Sequence, residues 1–441
     1  MRMKLKTALY GVLISCISLH TSGTAALSNY HGDIGEQLTL EQRLERTAVR
    51  YFLENSHPET GLVRASASNF KREASTNTKA SIGTTGMALA VLANAGERGI
   101  INPAYARAYA LKTLKFARDR VSKWKGWFVR SADWQSGQRW EKSEYSTIDT
   151  TLFLAGALYA AKVIEDPELS ELAYELYRQT DFFEFLTDGG TKPFKQTMSV
   201  AYSPETGFSQ EQWSASVETS LLLILGIGHP TRALPASTWL AWERKSTTTP
   251  NGETIIGADL ALSAHQYSQL FIDFRGFRDA FNIDYFENGR KATEYNRTTC
   301  LNNTAYQSFR DGYWGLSTGL TPGGESLNTP VRYSSTACIG CTGGSAMYAP
   351  ELILSDIQKW IDGPHGMKIW GRYGLIDSLD LDRNWFSTRV RGITVGALYL
   401  SLANINEDTS IWRHFREIPE IKKGMAAAAA ARQPERWRPH P

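Results

Sequence analysis

The sequence predicts an all-α protein, and within that class an (α/α)6 barrel, from three observations. Apolar residues recur at helical spacing along most of the chain, convincing strand alternation is rare, and no Pro-, Ser- or charge-rich linker divides the 441 residues. A first helix is expected over Glu41 to Glu54, where Leu44, Ala48, Tyr51 and Phe52 share a face. Thr85 to Ala95, Ala104 to Arg120, Ile148 to Val163 and Leu169 to Phe185 repeat that pattern. Turn clusters separate them, among them His57-Pro58-Glu59-Thr60-Gly61 and Ser203-Pro204-Glu205-Thr206-Gly207-Phe208, whose shared Pro-Glu-Thr-Gly is too short to count as a repeat. Helices joined by short links in a chain this long fit six hairpins of about 65 residues, arranged as an inner and an outer ring.

The N-terminus has the order of an export signal. Arg2, Lys4 and Lys6 precede an apolar run from Ala8 to Leu19, and small residues follow from Thr21 to Ala26. Residues 1–26 are therefore expected to be a signal peptide, which predicts a periplasmic or secreted protein. A single domain is expected over 27–424. The tail over 425–441, an Ala run followed by Arg432-Gln433-Pro434, reads as disordered or tag-like. No later apolar stretch reaches bilayer length, so no membrane span is expected. A net charge of +3 without a Lys/Arg cluster argues against a nucleic-acid surface. Hydrophobic content of 42% allows a large core, and 13 Trp and 19 Tyr supply flat faces that suit sugar rings, although most of them are needed for packing. A monomer or weak dimer is expected. Cys338-Ile339-Gly340-Cys341 has C-x-x-C spacing but no second pair and no nearby His, so a loop-pinning disulfide, local or to Cys300, is expected rather than zinc. Neither a cofactor nor a metal is expected, because P-loop, dinucleotide, H-E-x-x-H and G-x-S-x-G patterns are missing.

Two expected helix starts carry carboxyl groups. In Glu144-Tyr145-Ser146-Thr147-Ile148-Asp149, the Ser146 to Asp149 spacing resembles a capping box, so Asp149 has a structural reading beside a functional one. In Trp213-Ser214-Ala215-Ser216-Val217-Glu218, Ala215 closes no such box. Helical spacing would set Glu218 beside Leu221, Leu222 and Leu225, where lost hydration raises a carboxyl pKa toward the range of a general acid. The alternative is a buried Glu satisfied by an Arg or a backbone donor. Asp273 and Arg275 read slightly more readily as a structural ion pair than as a substrate contact.

Several short stretches in order along the chain resemble the glycoamylase-like domain family, which includes endo-β-1,2-glucanases. They are Ala80-Ser81-Ile82-Gly83-Thr84-Thr85-Gly86, Ser146-Thr147-Ile148-Asp149-Thr150, the Tyr202 to Phe208 turn, Val217-Glu218-Thr219, His265-Gln266-Tyr267-Ser268 and Asp273-Phe274-Arg275-Gly276. Tyr285-Phe286-Glu287-Asn288, Trp314-Gly315, Ala349-Pro350-Glu351 and Tyr373-Gly374 continue the series. The resemblance implies an (α/α)6 barrel without a metal and an inverting hydrolase that cuts β-glucan, β-1,2-linked and in the endo mode. Exo or transglycosylating action and a non-catalytic glucan-binding protein remain open as alternatives. It also implies that Glu218 is the general acid and that Asp149 lines the same cleft. Asp149 or Asp377 is expected as the base, with Glu144 as a further candidate. Tyr145, Trp213, Tyr267, Trp314 and Trp385 are expected to stack on sugars, and His265 and Arg275 to make polar contacts. Two departures stand out: the Cys338 to Cys341 loop replaces an Asp-Gly stretch, and Gly392-Ile393-Thr394-Val395-Gly396 replaces an Asp-Gln-Gly-like turn.

Overall fold

The computed structural model describes residues 38–186, 196–214, 217–325, 334–406, 408 and 410–432. The proposed signal peptide and the end of the tail lie outside them. Two kinds of helix alternate. The outer ones are α1 (Leu40–Asn55), α3 (Pro103–Asp119), α5 (Pro167–Gln179), α8 (Tyr285–Asn302), α10 (Pro350–Asp362) and α13 (Pro419–Ala430). Four of these begin on proline, whose missing N–H costs nothing in the first turn and whose fixed φ suits the helix. Side-chain caps on Asn102 and Asp166 sharpen two of the starts, and Thr39 with Gln42 makes a full capping box on α1. One stripe of each outer helix is buried: on α5 it is Leu169, Leu172, Ala173, Leu176 and Tyr177.

Most inner helices are apolar nearly all round, as suits elements enclosed on every side, although Leu262–Phe271 also buries His265, Gln266, Ser268 and Gln269. They are α2 (Ile82–Glu97), α4 (Thr147–Ile164), α6 (Thr219–Gly228), α7 (Leu262–Phe271), the short turns α9 (Ile339–Thr342) and Gly343–Ser345, and α11 (Gly392–Ala403). Contacts run from α2 to α4, α6, α7, the 339–345 turns, α11 and back to α2, so the ring closes. This is the (α/α)6 barrel expected from the periodicity. α4 has the length and apolarity to cross a bilayer, but here its residues are enclosed by the other helices. α12 (Ile411–Phe415) packs on α4 and α7.

Three differences from the sequence reading have physical causes. The fifth inner element is two short turns rather than a helix, tied by a local Cys338–Cys341 disulfide, while Cys300 is buried and free. The helix expected to end at Phe185 stops at Gln179, and Phe182–Phe185 form a separate 3-10 turn. The tail boundary at residue 425 is corrected, because α13 runs on to Ala430 with Ala428 buried. Between α6 and α7 the 3-10 turn Ala236–Leu240 and the hairpin Ser246–Thr248 with Thr254–Ile256 stand in place of an outer helix, and α13 takes the outer place against α6. The two helices approach so closely that a Cβ on Gly228 would lie 2.1 Å from Glu420 O, and one on Gly424 would lie 2.3 Å from Ile224 O.

Short antiparallel strands lead into three inner helices. Lys79–Ser81 pairs with Ser131–Asp133 before α2, Tyr145–Ser146 with Ala201–Ser203 before α4, and Arg389–Arg391 with Ser66–Ser68 before α11. They fix the direction from which each helix is entered, and all three helix N-termini gather at one end of the barrel. The tightest helix contact sits just below. A Cβ on Gly156 of α4 would lie 1.9 Å from Gly86 O of α2, and one on Gly86 would lie 2.4 Å from Leu152 O. Backbone cannot yield as a flexible side chain can, so overpacking here is costly. We predict that Gly156→Ala lowers stability by about 1–3 kcal/mol; an unchanged thermal unfolding midpoint would contradict this close crossing.

Candidate active site

The inner-helix starts open into a cleft of about 1210 Å³. Asp149, Glu218, Glu144, Trp213 and Tyr267 line it, so the structure brings five of the residues singled out from sequence into one place.

Asp149 lies in the first turn of α4 and is 7% exposed. Ser146 caps the helix by accepting from the Asp149 N–H at 3.2 Å, and its hydroxyl donates to Asp149 Oδ2 at 2.7 Å. The cap and the carboxyl are thus one unit. On its other side the carboxylate lies near the Gly83 N–H at the start of α2, which favours its charged form. Gly83 is needed there for room, since a Cβ would stand 2.6 Å from Asp149 Oδ1. Burial raises the Asp149 pKa to about 6, and nearby Glu144 adds to the rise, while the Ser146 hydroxyl, Arg130 and the Gly83 N–H hold it down.

Glu218 occupies a different position from the one helical spacing suggested. α6 begins at Thr219, so Glu218 is the N-cap residue, with no side-chain cap bond. Its side chain belongs to the cleft wall rather than to a leucine stripe. Ser268 of α7 pins the backbone on both sides, donating from its hydroxyl to Glu218 O at 2.8 Å and accepting the Leu221 N–H at 3.0 Å. Burial, with the charge of Asp149 as a second cause, pushes the Glu218 pKa up to about 7. The expected rise is present, but its source is the enclosed cleft and the neighbouring carboxylate.

Around this pair, Trp213 donates its ring N–H to Thr147 Oγ1 at 2.7 Å, which fixes the indole at the start of α4. Tyr267 of α7 lies within electrostatic reach of Arg391, Glu218, Asp377 and Asp149. Glu144 pairs with Arg130 at 2.8 Å at the cleft edge, where both are partly exposed. Tyr145 stands next to the cleft in the strand paired with Tyr202, and Tyr202 stacks on Trp124 at 4.0 Å.

Five of the expected site residues stand apart from the cleft wall. Asp377 is 1% exposed and does not line the cleft; its carboxylate accepts from Arg391 Nε at 2.7 Å, Leu320 N at 2.6 Å and Ser378 Oγ at 2.9 Å. These three donors tie the Asp377 side chain to Arg391 and to the turns around it rather than to the cleft wall. His265 is buried with Nε2 3.0 Å from Gly257 O, and burial lowers its pKa to about 4. Trp314 is wholly buried and donates its ring N–H to Asp356 at 2.9 Å. Arg275 forks onto Asp273 at 2.9 Å on both arms, the ion pair that was the alternative reading. Trp385 sits in a hairpin opposite Asp380, away from the cleft-lining set. The cleft also holds residues that sequence reasoning passed over: Arg391, Glu211, Glu243, Arg130 and Lys79. Single charges on loops and strand ends carry no periodic signal. Among the described residues there is no cluster of His, Cys, Asp and Glu suited to a metal ion.

Residues 210–419 match the family model described as "Glycoamylase: Putative glucoamylase". The chain is 25% identical over 186 residues to an exo-β-1,2-glucooligosaccharide sophorohydrolase (non-reducing end) of Parabacteroides distasonis, a match that takes in 40% of this chain and a quarter of that relative's length. Its fold is similar to that of an endo-β-1,2-glucanase from Chitinophaga pinensis in complex with sophorotriose and glucose, with a TM-score of 0.78, 19% identity, and 89% and 99% of the two chains covered. A β-1,2-glucanase from Parabacteroides distasonis superposes with a TM-score of 0.79 at 19% identity, over 90% of this chain and 61% of that one. The resemblance to glycoamylase-like proteins and the (α/α)6 architecture are thus supported independently of the motifs.

Removing the hydroxyl that favours the charged form of Asp149 leaves burial unopposed on that side. Ser146→Ala is therefore expected to move the Asp149 midpoint above about 6, as read by carboxyl-carbon NMR titration. A midpoint that stays or falls would show that Ser146 does not hold the carboxylate.

Proposed function

We propose that the protein is a glycoside hydrolase of β-1,2-linked glucan, with Glu218 as general acid and Asp149 as general base. The carrying observation is the convergence of these two carboxyls on one cleft, each desolvated and the Asp149 charge raising the Glu218 pKa. Two such groups share their titration, and the arrangement favours a state with one proton between them near neutrality. Glu218, raised to about 7, keeps the proton that the departing glycosidic oxygen needs. Asp149, raised to about 6, is the group that ionises first and draws a proton from water on the opposite face of the sugar. Inversion at the anomeric carbon follows from that assignment. Trp213 and Tyr267 supply apolar faces to the ring, and Arg130 and Glu144 polar contacts at the edge.

Endo cleavage is the mode supported best, because the cleft exceeds the roughly 300–1,000 Å³ of ordinary small-ligand pockets and offers room for a chain running through it. The likeness to β-1,2-glucan hydrolases of both endo and exo type supports the linkage more strongly than the mode. The basic, apolar and small-residue order of residues 1–26 supports export to the periplasm or medium.

Glu218→Gln is expected to fold normally and bind glucan, and to lose at least about 10³-fold in kcat, since it retains shape but cannot give up a proton as an acid. Near-normal turnover by that variant, measured as reducing ends released from linear β-1,2-glucan, would remove Glu218 from the mechanism. Turnover by the wild type on other glucans but not on this one would remove the linkage. The pH profile of kcat/KM is expected to be a bell with limbs near about 6 and about 7. Activity rises as Asp149 loses its proton and falls as Glu218 loses its own, and a plateau extending above pH 8 would contradict the assignment.

A further inference from the structure

We propose that Ser268 is a positioning residue for the general acid: from α7 it caps the neighbouring helix α6 and thereby sets where the Glu218 carboxyl stands in the cleft. The proposal deepens the glucan-hydrolase reading above and rests on it. α2, α4 and α6 all begin at the cleft and share one requirement, since the first N–H groups of a helix have no partner inside it. In α2 the third of these groups, the Thr84 N–H, goes to the hydroxyl of Ser81 at 3.2 Å, and in α4 the Asp149 N–H goes to that of Ser146 at 3.2 Å. In both cases the serine is the N-cap residue of its own helix and has extended backbone. In α6 the equivalent N–H is that of Leu221, and it goes to Ser268 Oγ at 3.0 Å. A serine hydroxyl is again the acceptor, but a different helix supplies it.

A cap supplied from outside changes what the N-cap position can hold. Glu218 occupies it in helical backbone, at φ −60° and ψ −27°, and makes no side-chain cap bond. Short polar residues normally take that place because their oxygen reaches back to their own helix. With Ser268 filling that need, the position can carry a longer carboxyl that lines the cleft. The Ser268 hydroxyl also donates to Glu218 O at 2.8 Å, so one side chain holds both the residue that carries the acid and the turn that follows it. Ser268 is 2% exposed and Leu221 is fully buried, so the two bonds have no ready substitute in water. Tyr267, one residue earlier on α7, lines the cleft, whereas Ser268 does not, so Ser268 acts through Glu218 and not on the sugar. Such aim matters for proton transfer, because a misplacement of about 1 Å can cost about 10²-fold in rate.

The test uses the full chain and linear β-1,2-glucan, with folding followed by circular dichroism and the unfolding midpoint. Ser268→Ala removes both bonds at once and is expected to lower kcat at least about tenfold while KM stays within about twofold, the split of a misplaced acid rather than a lost sugar contact. Added to Glu218→Gln, the same substitution is expected to change the residual turnover by less than about twofold, because the group it aims is gone. Ser268→Cys keeps nearly the same volume with a weaker donor and acceptor. Its kcat should fall between those of wild type and Ser268→Ala, and it carries the test alone if Ser268→Ala does not fold. A variant with a lower unfolding midpoint and wild-type kcat would make Ser268 merely structural and overturn the proposal. A raised KM at unchanged kcat would overturn it too, as would losses that multiply in the double variant. A wild type inactive on every β-1,2-glucan would instead sink the hydrolase reading itself, a failure distinct from an active enzyme whose kcat ignores Ser268.

Discussion

The close crossing of α2 and α4 is the constraint on which the rest of the site depends. Gly86 and Gly156 let two backbones meet where any side chain would collide with a carbonyl. That contact sets the N-terminus of α2 beside the first turn of α4. It brings the Gly83 N–H near the Asp149 carboxylate, where a Cβ on Gly83 would stand 2.6 Å from Asp149 Oδ1. The cap on Ser146 completes the arrangement from the other side. A packing feature of the core thereby becomes an electrostatic feature of the cleft.

The same enclosure governs both carboxyls, with different results. Asp149 has donors from a serine hydroxyl and a backbone N–H that return part of what burial takes away, and it is held at about 6. Glu218 has burial and the Asp149 charge acting in the same direction and rises to about 7. Asp377 is placed differently: an arginine, a backbone N–H and a serine hydroxyl converge on a carboxylate that stays out of the cleft. The two cleft carboxyls thus differ in the donors that the fold supplies to each.

The architecture was legible in the sequence because alternating helices write themselves as alternating patterns. Proline-led, one-sided helices form the outer ring, and runs such as Leu152 to Ala161 form the inner one. Asp149 was legible because a capping sequence and a family motif coincide there. Glu218 was found, but its surroundings were misjudged, since spacing cannot tell the last residue before a helix from the first within it. Trp314 and Trp385 show the limit of composition: aromatic residues suit sugar rings and cores equally, and only the closed ring decides which face each meets. Arg391 was missed because its neighbours, at Thr318, Cys338, Cys341 and Asp377, are assembled from separate turns of the chain. A boundary drawn at residue 425 also failed, because an alanine run with low complexity can still bury one face when Gly228 and Gly424 permit contact.

The place of α13 has a consequence for the order in which the barrel can be completed. α6, whose N-cap position is Glu218, has its outer flank covered by residues 419–430, which are synthesised after the other described helices. Until they arrive, a strongly apolar inner helix lies open on one side of a nearly finished ring. The element nearest the proposed acid is thus the last to be sealed, and a nascent chain holds every residue of its cleft before it has a stable one. Late closure of this kind makes the packing of α6 depend on residues far along the chain from the ones that form its cleft.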